Sequence, residues 1–382
     1  MAEKYLIGID VGTSGVKVLA VAEDGRIVKS AVESYPLHVP RAGWTEQDPV
    51  DWWHATIKAL ERVMPVCAGH KIAAVGLSGQ MHGMVALDDR MQVVRPAILW
   101  NDQRTERQCR ELTELAGGPA ALLAMTNNQM LTGYTGGKIR WLQQVEPDNY
   151  QRVRLILNPK DYIRWCLTGT VCTDVSDASG TGFYDVKNNR WHEQLLSLAG
   201  IDRTLFPPVV ESTATAGRVH GRAAAATGLP IDTPVSGGGG DAVISTTGLG
   251  LIKPGRIGIT LGTSGVVAMG APAYMANPDG KLQVFRGNAP GQGGRGSNTS
   301  DSPFERVTVK VRLRCEMEHF GPLLYGLESG SPQLFVSELT ITGRRAAPGG
   351  RARSRNQPAN AGYLDIAFDM YGYLRRAPGG GA

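Results

Sequence analysis

At 382 residues the chain is longer than one hydrophobic core ordinarily organises, so two domains are the first expectation. Hydrophobic residues at 42% and charged residues at 20% exclude a disordered, fibrous or membrane-embedded class. The net charge of +5 resides in residues 286–382, which hold 13 basic and 8 acidic residues; the first 285 hold 27 of each, which excludes an electrostatic footprint for nucleic acid there.

No window approaches the roughly 20 apolar residues of a membrane span, and "MAEK" runs into a strand-like segment with no signal-peptide pattern. A cytoplasmic protein with no membrane partner is expected. Five cysteines at irregular spacing, with no CxxC, suggest neither a disulfide framework nor a zinc site.

In chain order, residues 5–35 alternate as three strands broken at "DVGTSG" and at "EDGR", where Asp24-Gly25 is a hairpin signal. "PVDWWHATIKALERVM", residues 49–64, places apolar positions at helical spacing behind an acidic, proline-containing start. "IAAVGLSG" then reads as a buried strand, and "RVRLILNPKDYIRWCLTG" supplies a further strand followed by a helix. Three strands, a helix and another strand open an α/β unit of the ribonuclease H type. The decamer "IGIDVGTSGV" at 7–16 returns as "IGITLGTSGV" at 257–266, so a second, related α/β half is expected to begin near residue 255. Beyond residue 286 the composition shifts to Gly, Arg, Ser and Pro without clear periodicity, apart from an alternating "ERVTVKVRLRCEM".

Each GTSG lies between strand-like runs, so Gly12, Thr13 and Ser14, and likewise Gly262, Thr263 and Ser264, form tight turns whose amides and hydroxyls suit phosphate oxygens. A pair of plain glycine hairpins is the bland alternative, and the repeat argues against it. If the turns grip a triphosphate, Asp10 in one copy and Thr260 in the other divide the work: a carboxylate organises Mg²⁺, and neutral donors face the phosphate chain. Lys17 either offsets phosphate charge or is a solvated surface lysine.

In "SGGGGDAVIS" the four glycines permit close backbone approach, and Asp241 opens an apolar run where a carboxylate can accept a proton from an attacking hydroxyl. An N-capping aspartate explains the same residue. Gln80, Met81 and His82 follow a buried strand, where ligands of α/β folds commonly meet the chain. Trp100, Asp102 and Arg104 in "ILWNDQR" offer hydroxyl partners and a stacking face for a polyol or sugar, or form an ordinary strand end. Asp161, Asp174 and Asp177 either shape the site or serve as caps and turns.

With these residues assembled, the chain resembles the FGGY carbohydrate kinases, and within them the xylulose-phosphorylating members. The matching stretches are "GIDVGTSGVK", "GWTEQDPVDWW", "GLSGQMHG", "RPAILWNDQR", "PKDYIRWCLTG", "TDVSDASGT", "GGGGDAV" and "LGTSG", in family order across roughly residues 4–290. The resemblance implies two ribonuclease H-like domains of the actin/Hsp70/sugar-kinase superfamily around a nucleotide cleft. It implies that the GTSG turns are phosphate motifs, Asp241 the catalytic base and Met81 with His82 the ketose contact. ATP and Mg²⁺ are the implied cofactors, with Asp10 toward the metal, and D-xylulose is the implied substrate. Kinases for another sugar or polyol, and a binding remnant without catalysis, are the competing expectations. A homodimer is left open.

Two departures stand out. Ala242 follows the base where these kinases often carry asparagine. The tail does not match the family's second domain, except that "GGGA" at the chain end, with Gly379 and Gly380, resembles the adenosine-contacting glycine motif. The expected division is therefore residues 1–246 for sugar and phosphate binding and 247–382 for a partial second domain, with 286–382 atypical in the manner of a disordered segment. A tail translated partly out of frame, or belonging to a damaged gene, is the expectation that would account for the change in composition.

Overall fold

A computed structural model of the protein describes residues 3–251, 257–261, 265–271, 274–288, 304–315, 335–344 and 363–375. The chain divides into two compact units, Met1–Thr260 with Ala268–Arg295, and Leu261–Val267 with Gly296–Ala382.

The first unit is built on a seven-stranded mixed sheet. Its order is Thr215–Arg218, Pro234–Ser236, Lys71–Gly79, Lys4–Val11, Gly15–Ala22 and Ile27–Ser34, with the short Gly239–Gly240 strand also paired to Lys71–Gly79. Lys4–Val11, Gly15–Ala22 and Ile27–Ser34 form the expected antiparallel meander. Gly25, at φ +87°, makes the second turn, a conformation that costs glycine little. Period-2 alternation decides which face is buried: Tyr5, Ile7, Ile9 and Val11 point one way with Val16, Val18 and Ala20, which leaves Asp10 and the exposed Lys17 on the other face. Asp10 and Lys17 stand opposite each other in the register.

Helix Pro49–Val63 covers the apolar face. Asp48 caps it by accepting the Val50 amide at 2.9 Å, and Pro49 needs no hydrogen-bond partner at that position. Trp52, Ala55, Thr56, Ala59, Leu60 and Val63 recur at three- and four-residue spacing and are buried against the sheet. The predicted strand and helix after residue 152 are Leu155–Leu157 and Pro159–Thr168, the helix ending on Gly169 at φ +70°. A second cluster of buried residues, including Leu112, Ile139, Leu142, Phe183, Tyr184, Trp191 and Phe206, is carried by the helices and short strands between residues 84 and 206.

Two strands, Ile257–Leu261 and Gly265–Met269, flank the second GTSG, while Gly262, Thr263 and Ser264 lie outside the described residues. In the second unit, strands Phe304–Cys315, Tyr363–Arg375 and Phe335–Arg344 form an antiparallel sheet with Tyr363–Arg375 at its centre. The alternating "ERVTVKVRLRCEM" falls on the first of these, and the other two strands carry no signal that the sequence reading isolates. Gly379 and Gly380 lie outside the described residues. Among the described residues, no helix is long and apolar enough to cross a membrane.

Candidate active site

Parallel pairing gathers the site. Lys4–Val11 and Gly239–Gly240 both run parallel to Lys71–Gly79, with Asp10 level with Ser78, Gly239 level with Ser78, and Gly240 level with Gly79. The segments that leave these strands at their carboxyl ends are Gly12–Ser14, Gln80–His82 and Asp241, so three motifs far apart in sequence emerge on one edge. This is the position where α/β sheets meet their ligands.

The first turn is tied down from within. Gly12 N donates to Gly15 O at 3.1 Å, and the Tyr35 hydroxyl donates to Gly12 O. A Cβ on Gly15 would lie 2.5 Å from Glu33 O, so no larger residue fits. Trp100, half-exposed, donates its indole N–H to Thr13 Oγ1 at 2.9 Å, and Thr13 in turn donates to Gln80 Oε1 at 3.3 Å. Gln80 Nε2 donates to Gln47 Oε1 at 3.0 Å, and Gln47 Nε2 donates back to Thr13 O at 2.8 Å. The Thr13 hydroxyl is thus spent inside the protein, which leaves the exposed Ser14 and the turn amides to face a ligand. Tyr35 and Gln47 were not apparent as site residues, because their partners lie 23 and 34 positions away.

Asp10 Oδ1 is buried with no hydrogen-bond partner. A buried carboxylate oxygen without a donor fits a bound cation or an ordered water. No group of three or more His, Cys, Asp or Glu side chains suited to a metal occurs among the described residues, so a cation here would draw most of its ligands from water and phosphate, as Mg²⁺ commonly does.

Asp241 is the first residue of helix Asp241–Gly248. Burial pushes its carboxyl up to about 6; the Ala242 amide, donating at 2.7 Å, pulls it down, and the charge on Asp10 raises it. That interaction puts the two carboxylates within electrostatic reach of each other. A carboxylate poised near neutrality is a competent proton acceptor.

His82 adopts φ +66°, rare for a residue with a side chain. Three contacts impose it: Lys138 Nζ and Thr135 Oγ1 donate to His82 O at 2.6 and 3.2 Å, and the ring bonds through Nδ1 to Gly180 O at 2.8 Å. The ring also stacks on Tyr134 with centroids 4.6 Å apart. Burial pushes the imidazole down to about 3, with help from the Lys138 charge. A neutral ring beside a carbonyl must carry its proton on Nδ1, which leaves Nε2 as an acceptor for a hydroxyl. Met81 packs over the glycine run, where a Cβ on Gly240 would come within 2.4 Å of its Cγ. Lys138 is fully buried and driven down to about 7 by burial, opposed chiefly by the Asp102 charge. A lysine inside a helix reads as solvated from sequence, and only the two carbonyls it bonds, His82 O and Gly133 O, explain its burial.

Asp102 and Arg104 do not reach outward as the sequence suggests. Arg104 grips Asp102 through Nε and Nη2 at 2.7–3.0 Å and Glu46 through Nη1 at 2.7 Å, and it lies 3.8 Å over the Trp44 ring. Both side chains are fully buried. Of this cluster, Trp100 alone is exposed toward solvent.

Comparison with known proteins gives the class. Residues 5–248 match the N-terminal domain of the FGGY family of carbohydrate kinases. The chain belongs to that family.

More particularly, it is 39% identical over 293 residues to the xylulose kinase of Lactococcus lactis, covering 75% of this chain and 57% of that protein. It is 40% identical over 284 residues to the xylulose kinase of Bacillus subtilis, covering 74% and 56%. Among solved structures it is similar to a xyloylose kinase from Brucella ovis at TM-score 0.71 and 38% identity, covering 74% of this chain and 58% of that one. The xylulose kinase from Rhodospirillum rubrum aligns at TM-score 0.70 and 28% identity, covering 75% and 59%. The chain therefore spans between half and two thirds of the length of the relatives it matches. Residues 288–374 are similar to a different family, type II secretion system protein M subtype b.

Proposed function

We propose that the chain carries the sugar- and phosphate-binding half of an ATP-dependent D-xylulose kinase and transfers the γ-phosphoryl group to the terminal hydroxyl of the ketose. The observation that carries this reading is Asp241, raised to about 6, at the same sheet edge as the Gly12–Ser14 turn and the Met81–His82 turn. Neutral His82 accepts a hydroxyl through Nε2 and holds the sugar, with Met81, Gln80 and the Trp100 face around it. Asp241 takes the proton of the attacking hydroxyl as its oxygen bonds to phosphorus and the bond to the ADP oxygen breaks.

Ser14 and the amides of the first turn meet phosphate, and Lys17 faces the same side. Gly262, Thr263 and Ser264 are proposed as the second phosphate turn, with Gly379 and Gly380 toward adenosine. Asp10 would hold Mg²⁺, whose charge when bound offsets that of the phosphates. Asp102 and Arg104 are proposed to act on the sugar indirectly, by fixing the backbone that carries Trp100.

The proposed division is 1–246 and 247–382, in a cytoplasmic chain; a homodimer is proposed with it. Within the second segment a further reading is favoured by the similarity of residues 288–374 to a second family: residues 247–285 open the kinase's second domain, and an appended module follows.

A coupled ADP-release assay with D-xylulose and a panel of other sugars tests substrate and competence together. Asp241→Asn is expected to lose about 10²- to 10⁴-fold in turnover while keeping sugar affinity. Unchanged turnover in that variant refutes the assignment. Sugar binding by calorimetry with no ADP release from the native chain would instead identify a binding-only protein.

A further inference from the structure

One short helix, Val175–Ser179, touches both working parts of the site. Near its start, Ser176 Oγ accepts the amide of Gly240 at 3.0 Å, the residue that precedes Asp241. Just past its end, Gly180 O accepts His82 Nδ1 at 2.8 Å. Four residue steps along the chain separate these two contacts, a helical rise of roughly 6 Å.

The helix is anchored. Its cap Asp174 accepts Ser176 Oγ at 2.6 Å, Ser176 N at 2.9 Å and Ser212 Oγ at 2.7 Å on one carboxylate oxygen. The other oxygen lies 2.8 Å from Lys160 Nζ, which also meets Asp161 at 2.6 Å and Asp177 at 3.0 Å. All four side chains are fully buried. Arg164, paired to Asp161 at 2.9 Å, donates to Gly237 O at 2.7 Å and so holds the other end of the glycine run.

Ser176 Oγ is saturated: it gives its one proton to Asp174 and accepts from Gly240 and, at 3.2 Å, from Asn288 Nδ2. Close approach is what makes the contact work. A Cβ on Gly239 would fall 2.1 Å from Asn288 Nδ2 and 3.0 Å from Ser176 Oγ, so only glycine lets the strand reach the helix.

We propose that Val175–Gly180 is a fixed spacer that sets the separation between the proton-accepting carboxylate and the sugar-recognition turn, with Ser176 the positioning residue for Asp241 and Gly180 O the positioning contact for His82. The inference rests on the roles given above to Asp241 and His82. It separates two functions that share one anchor: losing the Ser176 contact frees the base segment but leaves His82 held.

The test is Ser176→Ala in the full chain, followed by hydrogen exchange in peptides covering residues 237–242 and 4–11, with D-xylulose affinity measured by calorimetry. Exchange at the Gly240 segment is expected to rise at least fivefold, with the strand peptide unchanged and xylulose affinity within twofold of the native chain. In the ADP-release assay kcat falls at least tenfold at constant KM, and the acid limb of the pH profile moves. Native exchange at Gly240, or equal acceleration in both peptides, overturns the spacer. The exchange readings need no turnover, so they stand apart from the kinase assignment, which falls if the native chain releases no ADP or if Asp241→Asn leaves turnover intact.

Discussion

Asp241→Asn should make the protein more stable, and increasingly so as pH rises. Asp241 is pushed from an ordinary value of 3.8 to about 6, chiefly by burial and then by the charge on Asp10. That displacement corresponds to about 3 kcal/mol of preference for the protonated form in the folded state. A carboxyl whose folded value is raised contributes stability that is fully present below the unfolded value and is lost as pH rises through the folded one. Integrating between the two values, ionisation of Asp241 costs the native fold about 1 kcal/mol at pH 4.5 and about 3 kcal/mol at pH 8. Asparagine is a neutral isostere whose Oδ1 still accepts the Ala242 amide, so it removes that cost and keeps the hydrogen bond.

All seven tryptophans, from Trp44 to Trp191, belong to the first unit, so indole fluorescence reports the unfolding of that unit. Denaturant midpoints of native and variant chains at pH 4.5 and pH 8 give the difference directly. The gain should be larger at pH 8 by about 2 kcal/mol. A gain equal at both pH values, or a variant less stable at pH 8, would falsify the electrostatic account of this residue. The same substitution is expected to lose about 10²- to 10⁴-fold in turnover, the trade between stability and activity expected where a site holds a destabilised group.

Two further outcomes follow from the proposed sugar contact at His82. His82, pushed down to about 3, should stay neutral from pH 5 to pH 8, so its ring proton resonances do not titrate there and xylulose affinity shows no inflection due to it; a midpoint near 6.5 in the NMR titration overturns the buried neutral assignment. Gly180→Ala places a Cβ 2.5 Å from His82 Cε1 and Nδ1, against a ring already stacked on Tyr134. Displacing the ring should weaken xylulose binding at least tenfold for about 1–3 kcal/mol of stability, and native affinity in that variant would show that the ring does not meet the sugar.

The meander, the helix at 49–63 and the strand–helix pair after residue 152 were legible because period and punctuation are local. The site was legible where it follows a strand read from pattern: Gly12–Ser14 and Gln80–His82 leave such strands, whereas Asp241 follows a glycine run whose short strand, Gly239–Gly240, shows only in its parallel pairing. It was not legible where a side chain's meaning depends on distant partners. Asp102 and Arg104 read either as hydroxyl partners or as an ordinary strand end, and Glu46, Thr45 and Trp44, some 57 to 60 positions earlier, complete their bonds and bury them. Lys138 is the converse: its role is set by two carbonyls that no composition reveals. In the tail, two strands were hidden in a stretch read by composition, because sheet formation there rests on pairing between segments rather than on any strong local pattern.

The buried ions beneath the glycine run raise a question of field against geometry. Two cations, Lys160 and Arg164, face three carboxylates, Asp161, Asp174 and Asp177, so full ionisation would leave a net negative charge near the glycine run that precedes Asp241. Burial, together with the charges of Asp174 and Asp161, outweighs Lys160 and holds the Asp177 carboxyl well above the usual carboxylate range, which lessens that negative charge. In agreement, the neighbouring charge among the described residues that displaces Asp241 is that of Asp10. The cluster thus exerts little field at Asp241. Its influence therefore passes through bonds, from Arg164 to Gly237 O and from Asp174 through Ser176 to Gly240 N, which is the behaviour of a mechanical anchor and the reason that one hydroxyl, rather than any charge, is the informative group to remove.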